Sequence, residues 1–355
     1  MTSGQRAVAL AVTAGVLALT VALAWFVRAT PGSVIDGAEG RPYGDSSGDG
    51  ASVLVEVESG QSAKEIGDTL EDAGVIESAQ LFELLVGIRG VADSLEAGEY
   101  EFDRGMPAIA AVDRIAEGQT ASRDVTIPEG LRAEEIGELL ERRGVVSKDA
   151  FLAALVKAGY AEPFLQETAS DSLEGYLFPA RYSFFRSTTA DQVVATLLRG
   201  FQDNVADRVQ FEGQELRLDQ VVTLASIVER EAVVAEERPI IAGVFINRLR
   251  VGLPLQADPT VQFAAAADPA SVSQYGWWKR ELTLDDLKID SPYNTYVYDG
   301  LPPGPIANPG VDAIQAVVRP ADTDFLFFVS RNDGTHVFAE TLEEHLQNVE
   351  IYQGR

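Results

Sequence analysis

The chain has 355 residues and a formal net charge of −27 at pH 7, which argues against a nucleic-acid backbone as partner, since that needs clustered Lys and Arg. It has no cysteine, so disulfides, thiolate metal sites and a Cys nucleophile are excluded. Its 46% apolar content is enough to bury a core, and its length leaves room for an anchor plus about two domains.

Residues 7–27 form a run without a charged side chain, flanked by Arg6 and Arg28. At about 1.5 Å per residue the run spans roughly 30 Å, the hydrocarbon thickness of a bilayer. Trp25 and Phe26 stand at its far end, where aromatic rings favour the interface. The run exceeds the core of a cleaved signal, and Trp-Phe-Val-Arg is a poor cleavage site. The sequence therefore predicts an uncleaved transmembrane anchor within residues 1–28. Arg6 before the run and Arg28 and Arg41 after it leave its orientation undecided by charge. Residues 29–51 are rich in Gly, Ser, Asp and Pro and read as a flexible linker.

Structure is expected to resume with a strand at Val53-Leu54-Val55-Glu56-Val57. An internal repeat follows at an offset of about 70 residues. Val55, Gly60, Ala63, Glu65-Ile66-Gly67, Leu70-Glu71 and Gly74-Val75 recur as Val125, Gly130, Ala133, Glu135-Ile136-Gly137, Leu140-Glu141 and Gly144-Val145. Each copy reads as a strand, a Gly turn, an amphipathic helix and a Gly stop. Residues 97–102 read as the closing strand of the first copy. The first copy resembles a degenerate LysM module, a small glycan-binding βααβ unit; a plain structural repeat fits the residues equally well.

Helical apolar spacing covers residues 191–205, 218–232 and 238–250, the last with Pro239 in its first turn. Residues 256–310 are rich in Pro, Gly, Asp and Asn and read as loop. Strands are expected at 325–330 and 336–338, and a helix at 341–351. The mixture lacks a βαβ rhythm, so the predicted class is α+β. The expected organisation is an anchor with a cytoplasmic tip (1–28), a linker (29–51), a LysM-like module (52–122) and a mixed α+β catalytic domain (123–355), whose residues 123–150 repeat the module's opening pattern.

On the 218–232 helix, Glu231 lies i+7 from Leu224, i+4 from Ile227 and i+3 from Val228, which places it on the apolar stripe. A carboxyl group there is poorly solvated when charged, so its pKa should rise, as a general acid requires. These residues equally fit a Glu231 that ends the helix and pairs with Arg238 or Arg248. Glu229 lies toward the far edge of the stripe. Glu174, before Gly175 and the aromatics Tyr176 and Phe178, is a second candidate, for sugar contact or bracing. Asn247, Arg248, Gln256 and Asp258 form a hydrogen-bonding set suited to sugar rims, and fit a network that braces the loop equally well. Tyr293 and Asn294 stand in a loop stiffened by Pro and Gly. The chain's two histidines, His336 and His345, leave one Ser-His arrangement, Ser226 with His336, but Ser226 lacks the Gly-x-Ser-x-Gly elbow.

Taken in order, these segments closely resemble the endolytic murein transglycosylases, the YceG-like family. The matching residues are Glu174-Gly175 with Phe178-Pro179, Ala225-Ser226-Ile227-Val228-Glu229-Arg230-Glu231, Val244-Phe245-Ile246-Asn247-Arg248-Leu249 and Leu255-Gln256-x-Asp258-Pro259-Thr260-Val261. Tyr293-Asn294-Thr295-Tyr296, Gly300-Leu301-Pro302-Pro303-Gly304-x-Ile306-Ala307 and His336-x-Phe338 complete the series. The family often has an acid after the Pro of the Glu-Gly segment; this chain has Ala180.

The resemblance implies that Glu231 is the catalytic acid/base, with Glu174, Glu229, Asn247, Gln256, Asp258, Thr260, Tyr293 and Asn294 binding substrate or supporting the site. It implies cleavage of the MurNAc–GlcNAc β-1,4 bond of nascent peptidoglycan strands, 1,6-anhydro-MurNAc ends and termination of glycan elongation. No metal or organic cofactor is called for. The expected partners are peptidoglycan strands, the membrane and the peptidoglycan synthesis machinery. The expected location is the cytoplasmic membrane, single-pass, with the catalytic domain outside. A peptidoglycan glycoside hydrolase and a non-catalytic wall-binding scaffold are the alternatives.

Overall fold

The computed structural model describes residues 52–211 and 215–354. The predicted anchor and linker, residues 1–51, lie outside the described residues. Among the described residues no helix is long and apolar enough to cross a membrane.

Strand β1 (Ser52–Val57), helices α1 (Ala63–Asp72) and α2 (Ala79–Arg89), and strand β2 (Gly98–Asp103) form a first strand–helix–helix–strand unit. β1 and β2 pair antiparallel, with Val55 opposite Tyr100. Helix α3 (Ala108–Ala116) packs on α2. Strand β3 (Arg123–Thr126), helices α4 (Ala133–Arg142) and α5 (Lys148–Ala154), and strand β4 (Arg181–Phe184) repeat the arrangement, with Val125 opposite Tyr182.

The repeated residues explain why the copies match. Ile66, Leu70 and Val75 in one, and Ile136, Leu140 and Val145 in the other, are buried. Gly74 and Gly144 stop the helices at φ of 70° and 67°, a left-handed conformation that a side chain resists. Gly67 and Gly137 serve a different purpose. A Cβ at Gly67 would lie 3.0 Å from the Ala79 carbonyl oxygen, and one at Gly137 would lie 3.2 Å from the Lys148 side chain. Their absence lets the second helix of each copy close against the first.

Helices α6 (Ala190–Phe201), α7 (Leu218–Glu231) and α8 (Arg238–Val251) follow. The helical spacing over 191–205 resolves into α6 and a π-turn at Gln202–Ala206. Every residue of α7 from Val221 to Val228 is buried, so this helix is covered on all sides, by α8 and by α11 (Val311–Val318) among others. Hairpin β5 (Phe327–Ser330) and β6 (His336–Ala339) carries the last helix, α12 (Leu342–Gln353), whose N-cap Thr341 accepts the Glu344 N–H.

The segment 256–310 departs from its predicted loop character. It contains α9 (Asp258–Ala265) and α10 (Pro269–Tyr275), each with a proline in its first turn. Proline there loses no helical hydrogen bond and presets φ, so Pro259 and Pro269 start helices rather than prevent them.

The described residues form a mixed α+β fold with two hydrophobic cores. One lies within the first unit, from Val55 to Ile115, and the other runs from Val125 to Val318. Glu99, 5% exposed, accepts the backbone N–H groups of Arg186 at 2.8 Å and Ser187 at 3.3 Å, tying β2 to the chain after β4.

Candidate active site

Helix α7 delivers Glu231 as its last residue. The buried part of the helix satisfies its own polar groups. Thr223 Oγ1 donates to Asp219 O, and Ser226 Oγ donates to Thr223 O at 2.7 Å while accepting Ile306 N–H at 3.0 Å. Ser226 is fully buried and does not line the cleft that His336 lines, which argues against a Ser226–His336 nucleophile pair. Beyond Val228 the helix emerges. Among the described residues the Glu231 carboxyl has no hydrogen-bond or ion-pair partner.

Glu231 opens onto a cleft of about 460 Å³. Arg248 from the last turn of α8, Gln256, Asp258 at the start of α9, and Tyr296 form the walls near it. The β5–β6 hairpin and one side of α12 also line it, bringing in Phe327, Phe328 and both histidines. His336 Nδ1 lies 2.7 Å from Glu237 Oε2, and His345 stacks on Phe327 at 5.2 Å between centroids.

The cleft's electrostatics favour a protonated Glu231. Its pKa is pushed up to about 8, first by burial of the carboxyl among protein atoms, then by the like charge of Asp258; Arg230 pulls the other way. Asp258 is itself held by Tyr296, whose hydroxyl donates to Asp258 Oδ1 at 2.7 Å. Burial, then Asp258, drives the Tyr296 phenol well above its ordinary range, so it remains a donor. The pairing of Glu231 with Arg238 or Arg248 that the sequence left open is not made. Arg238 instead meets Glu229 at 3.4 Å.

Of the sequence-selected residues, the fold brings Glu231, Gln256 and Asp258 into this cleft; the other six do not line it. Glu174, 8% exposed, accepts from Ala133 N at 3.0 Å and Asn308 Nδ2 at 2.7 Å. Glu229 accepts the Gly310 N–H at 3.1 Å besides its Arg238 pair. Asn247 Nδ2 donates to the carbonyls of Thr323 and Phe325, bracing the chain that enters β5. Thr260 Oγ1 bonds Ala257 O at 2.6 Å and lies 2.8 Å from Thr295 Oγ1. Tyr293 stacks on Phe263 at 4.6 Å. Asn294, fully buried, donates to Leu287 O and Ile289 O and accepts Tyr296 N–H at 3.0 Å, which fixes the loop carrying Tyr296.

Asn308 is the residue that local pattern did not single out. It is 0% exposed. Its Oδ1 accepts the N–H groups of Gly175 and Leu177, each at 2.9 Å. Its Nδ2 donates to Leu131 O at 2.9 Å and Glu174 Oε1 at 2.7 Å. Its partners lie 131 to 177 residues away, so no spacing in the sequence announces them. The Glu174-Gly175 turn beside it needs its glycine. Gly175 has φ +91°, and a Cβ there would lie 2.4 Å from Pro305 Cγ. Gly175→Ala should therefore cost about 2–4 kcal/mol, from backbone strain plus overpacking. An unchanged urea-unfolding midpoint would contradict this account of the turn.

The sequence model of the YceG-like family matches residues 55–351. This chain belongs to that family. The YceG-like chain is similar to a Bacillus subtilis protein named endolytic murein transglycosylase, with 32% identity over 315 residues, covering 84% of each. A Streptococcus pneumoniae protein of the same name is 31% identical over 323 residues, covering 84% of this chain and 58% of its own. Among solved structures, a YceG-like protein from Listeria monocytogenes is 33% identical, with a TM-score of 0.54 over 83% of this chain and 98% of that one.

Proposed function

We propose that this chain is an endolytic lytic transglycosylase that cleaves the MurNAc–GlcNAc β-1,4 bond of nascent peptidoglycan strands. One observation carries the reading: Glu231 stands in a cleft with Asp258 and without a paired cation, an arrangement that favours its protonated form. The name carried by the bacillar and streptococcal relatives supports the reaction class.

The chemistry follows from one acid/base. Protonated Glu231 donates to the glycosidic oxygen as the bond from that oxygen to the MurNAc C1 breaks. Positive charge develops on C1 and the ring oxygen, and the Asp258 carboxylate in the same cleft stabilises it. The ionised Glu231 then takes the proton of the C6 hydroxyl, whose oxygen bonds to C1. The product is a 1,6-anhydro end, Glu231 regains its proton, and no water is consumed.

In the same reading, residues 7–27 anchor the chain in the cytoplasmic membrane as a single span, with the catalytic part outside. The unit from β1 to β2 acts as a LysM-like glycan-holding module. The partners are the peptidoglycan synthesis machinery, and cleavage terminates strand elongation.

Mass spectrometry of the products tests the reaction. Ends one water lighter than a reducing sugar are expected. Reducing ends would instead mean hydrolysis with Asp258 as a second carboxylate, for which hydrolases need a separation of roughly 5–5.5 or 6.5–9.5 Å. Uncut strands would leave the wall-binding scaffold.

A further inference from the structure

Gln256 and Arg248 together fix the direction of one hydrogen-bond donor in the cleft. Gln256 has φ 50°, a left-handed conformation that glycine takes freely and a glutamine takes only under constraint. The constraint is visible. Gln256 N donates to Thr295 O at 3.1 Å, and Ala257 N donates to Thr295 Oγ1 at 3.0 Å. A strained non-glycine residue beside the acid suggests that its side chain is needed there.

Arg248 sets what that side chain presents. It is 8% exposed and spends its guanidinium on three partners: Nε to Pro254 O at 2.8 Å, Nη1 to Leu326 O at 3.3 Å and Nη2 to Gln256 Oε1 at 2.5 Å. Arginine carries donors only, so the amide atom facing it is the oxygen. The Gln256 NH₂ group is thereby turned away from Arg248, and among the described residues it has no partner.

We infer that Gln256 Nε2 holds the carbonyl oxygen of a substrate acetamido group next to Glu231, and that Arg248 is the positioning residue that aims it. The inference rests on the glycan-cleaving reading above. Both sugars of that substrate carry acetamido groups. A carbonyl oxygen requires a donor, which the fixed NH₂ supplies, whereas the ammonium left when the acetyl group is removed carries donors only and cannot accept from it.

The test compares N-acetylated glycan strands with the same strands after chemical de-N-acetylation. The wild-type protein should prefer acetylated strands in kcat/KM by on the order of tenfold to a hundredfold. Gln256→Gly and Arg248→Lys should lose that preference. Gln256→Glu keeps the Arg248 contact but has no NH₂ donor, so it should lose the preference even if Arg248→Lys fails to fold. A Gln256→Gly variant that retains the preference overturns the inference. Full cleavage by Glu231→Gln would instead overturn the catalytic reading on which it rests.

Discussion

Glu231→Gln should lower strand cleavage by on the order of 10³-fold, the usual scale for a lost general acid, and leave the fold intact. The substitution preserves shape and removes only the transferable proton. Wild-type activity should fall as pH rises through about 8, because the reactive form is the protonated one. Removing the like charge of Asp258 should lower the Glu231 pKa, so Asp258→Asn should move this alkaline limb to lower pH.

Stability carries the same signature. Burial raises the Glu231 pKa from 4.5 to about 8. Between those values the unfolded chain releases the proton while the folded chain keeps it, so this group's contribution to stability declines as pH rises through that window. Glu231→Gln does not titrate. Its melting temperature should gain on that of wild type between pH values of about 4.5 and 8. A difference independent of pH would show that Glu231 is not desolvated, and cleavage by the variant at the wild-type rate would show that it is not the acid.

Asn308→Ala should lower stability by on the order of 4 kcal/mol, with a melting temperature down by roughly 10 °C. The substitution leaves the buried N–H groups of Gly175 and Leu177 without an acceptor and deprives Glu174 of a donor. Leu131 O suffers less, because it still accepts the Asn308 backbone N–H at 2.9 Å. Thermal unfolding followed by near-ultraviolet circular dichroism measures the loss. A shift of only a few degrees would mean that water replaces the amide and that this junction is looser than its geometry implies.

The two variants separate two kinds of polar residue in this molecule. Glu231 is unpaired and reactive. Glu174 has its pKa pushed up to about 8 by burial in the same way, yet its oxygens are engaged by Ala133 N–H and Asn308. A raised pKa alone therefore does not mark the catalytic group. Access to the cleft and freedom from protein partners do.

The sequence by itself determined the local pattern of this protein. The 3.6-residue periodicity of α7 puts Glu231 in line with Leu224 and Ile227, and the paired glycines of the repeat specify where each copy turns, stops and closes. These features are legible because each depends on neighbours one or two turns away. Only the tertiary structure decided which polar residues share the cleft. Gln256 and Asp258 reach it, while Asn247 and Thr260 from the same stretch, and Asn294 from the Tyr293 loop, turn to backbone carbonyls instead. The wall formed by β5, β6 and α12 comes from the far end of the chain, and Asn308 finds its partners more than a hundred residues away. Hydrogen bonds of that range are set by which elements pack together, and no local periodicity encodes them.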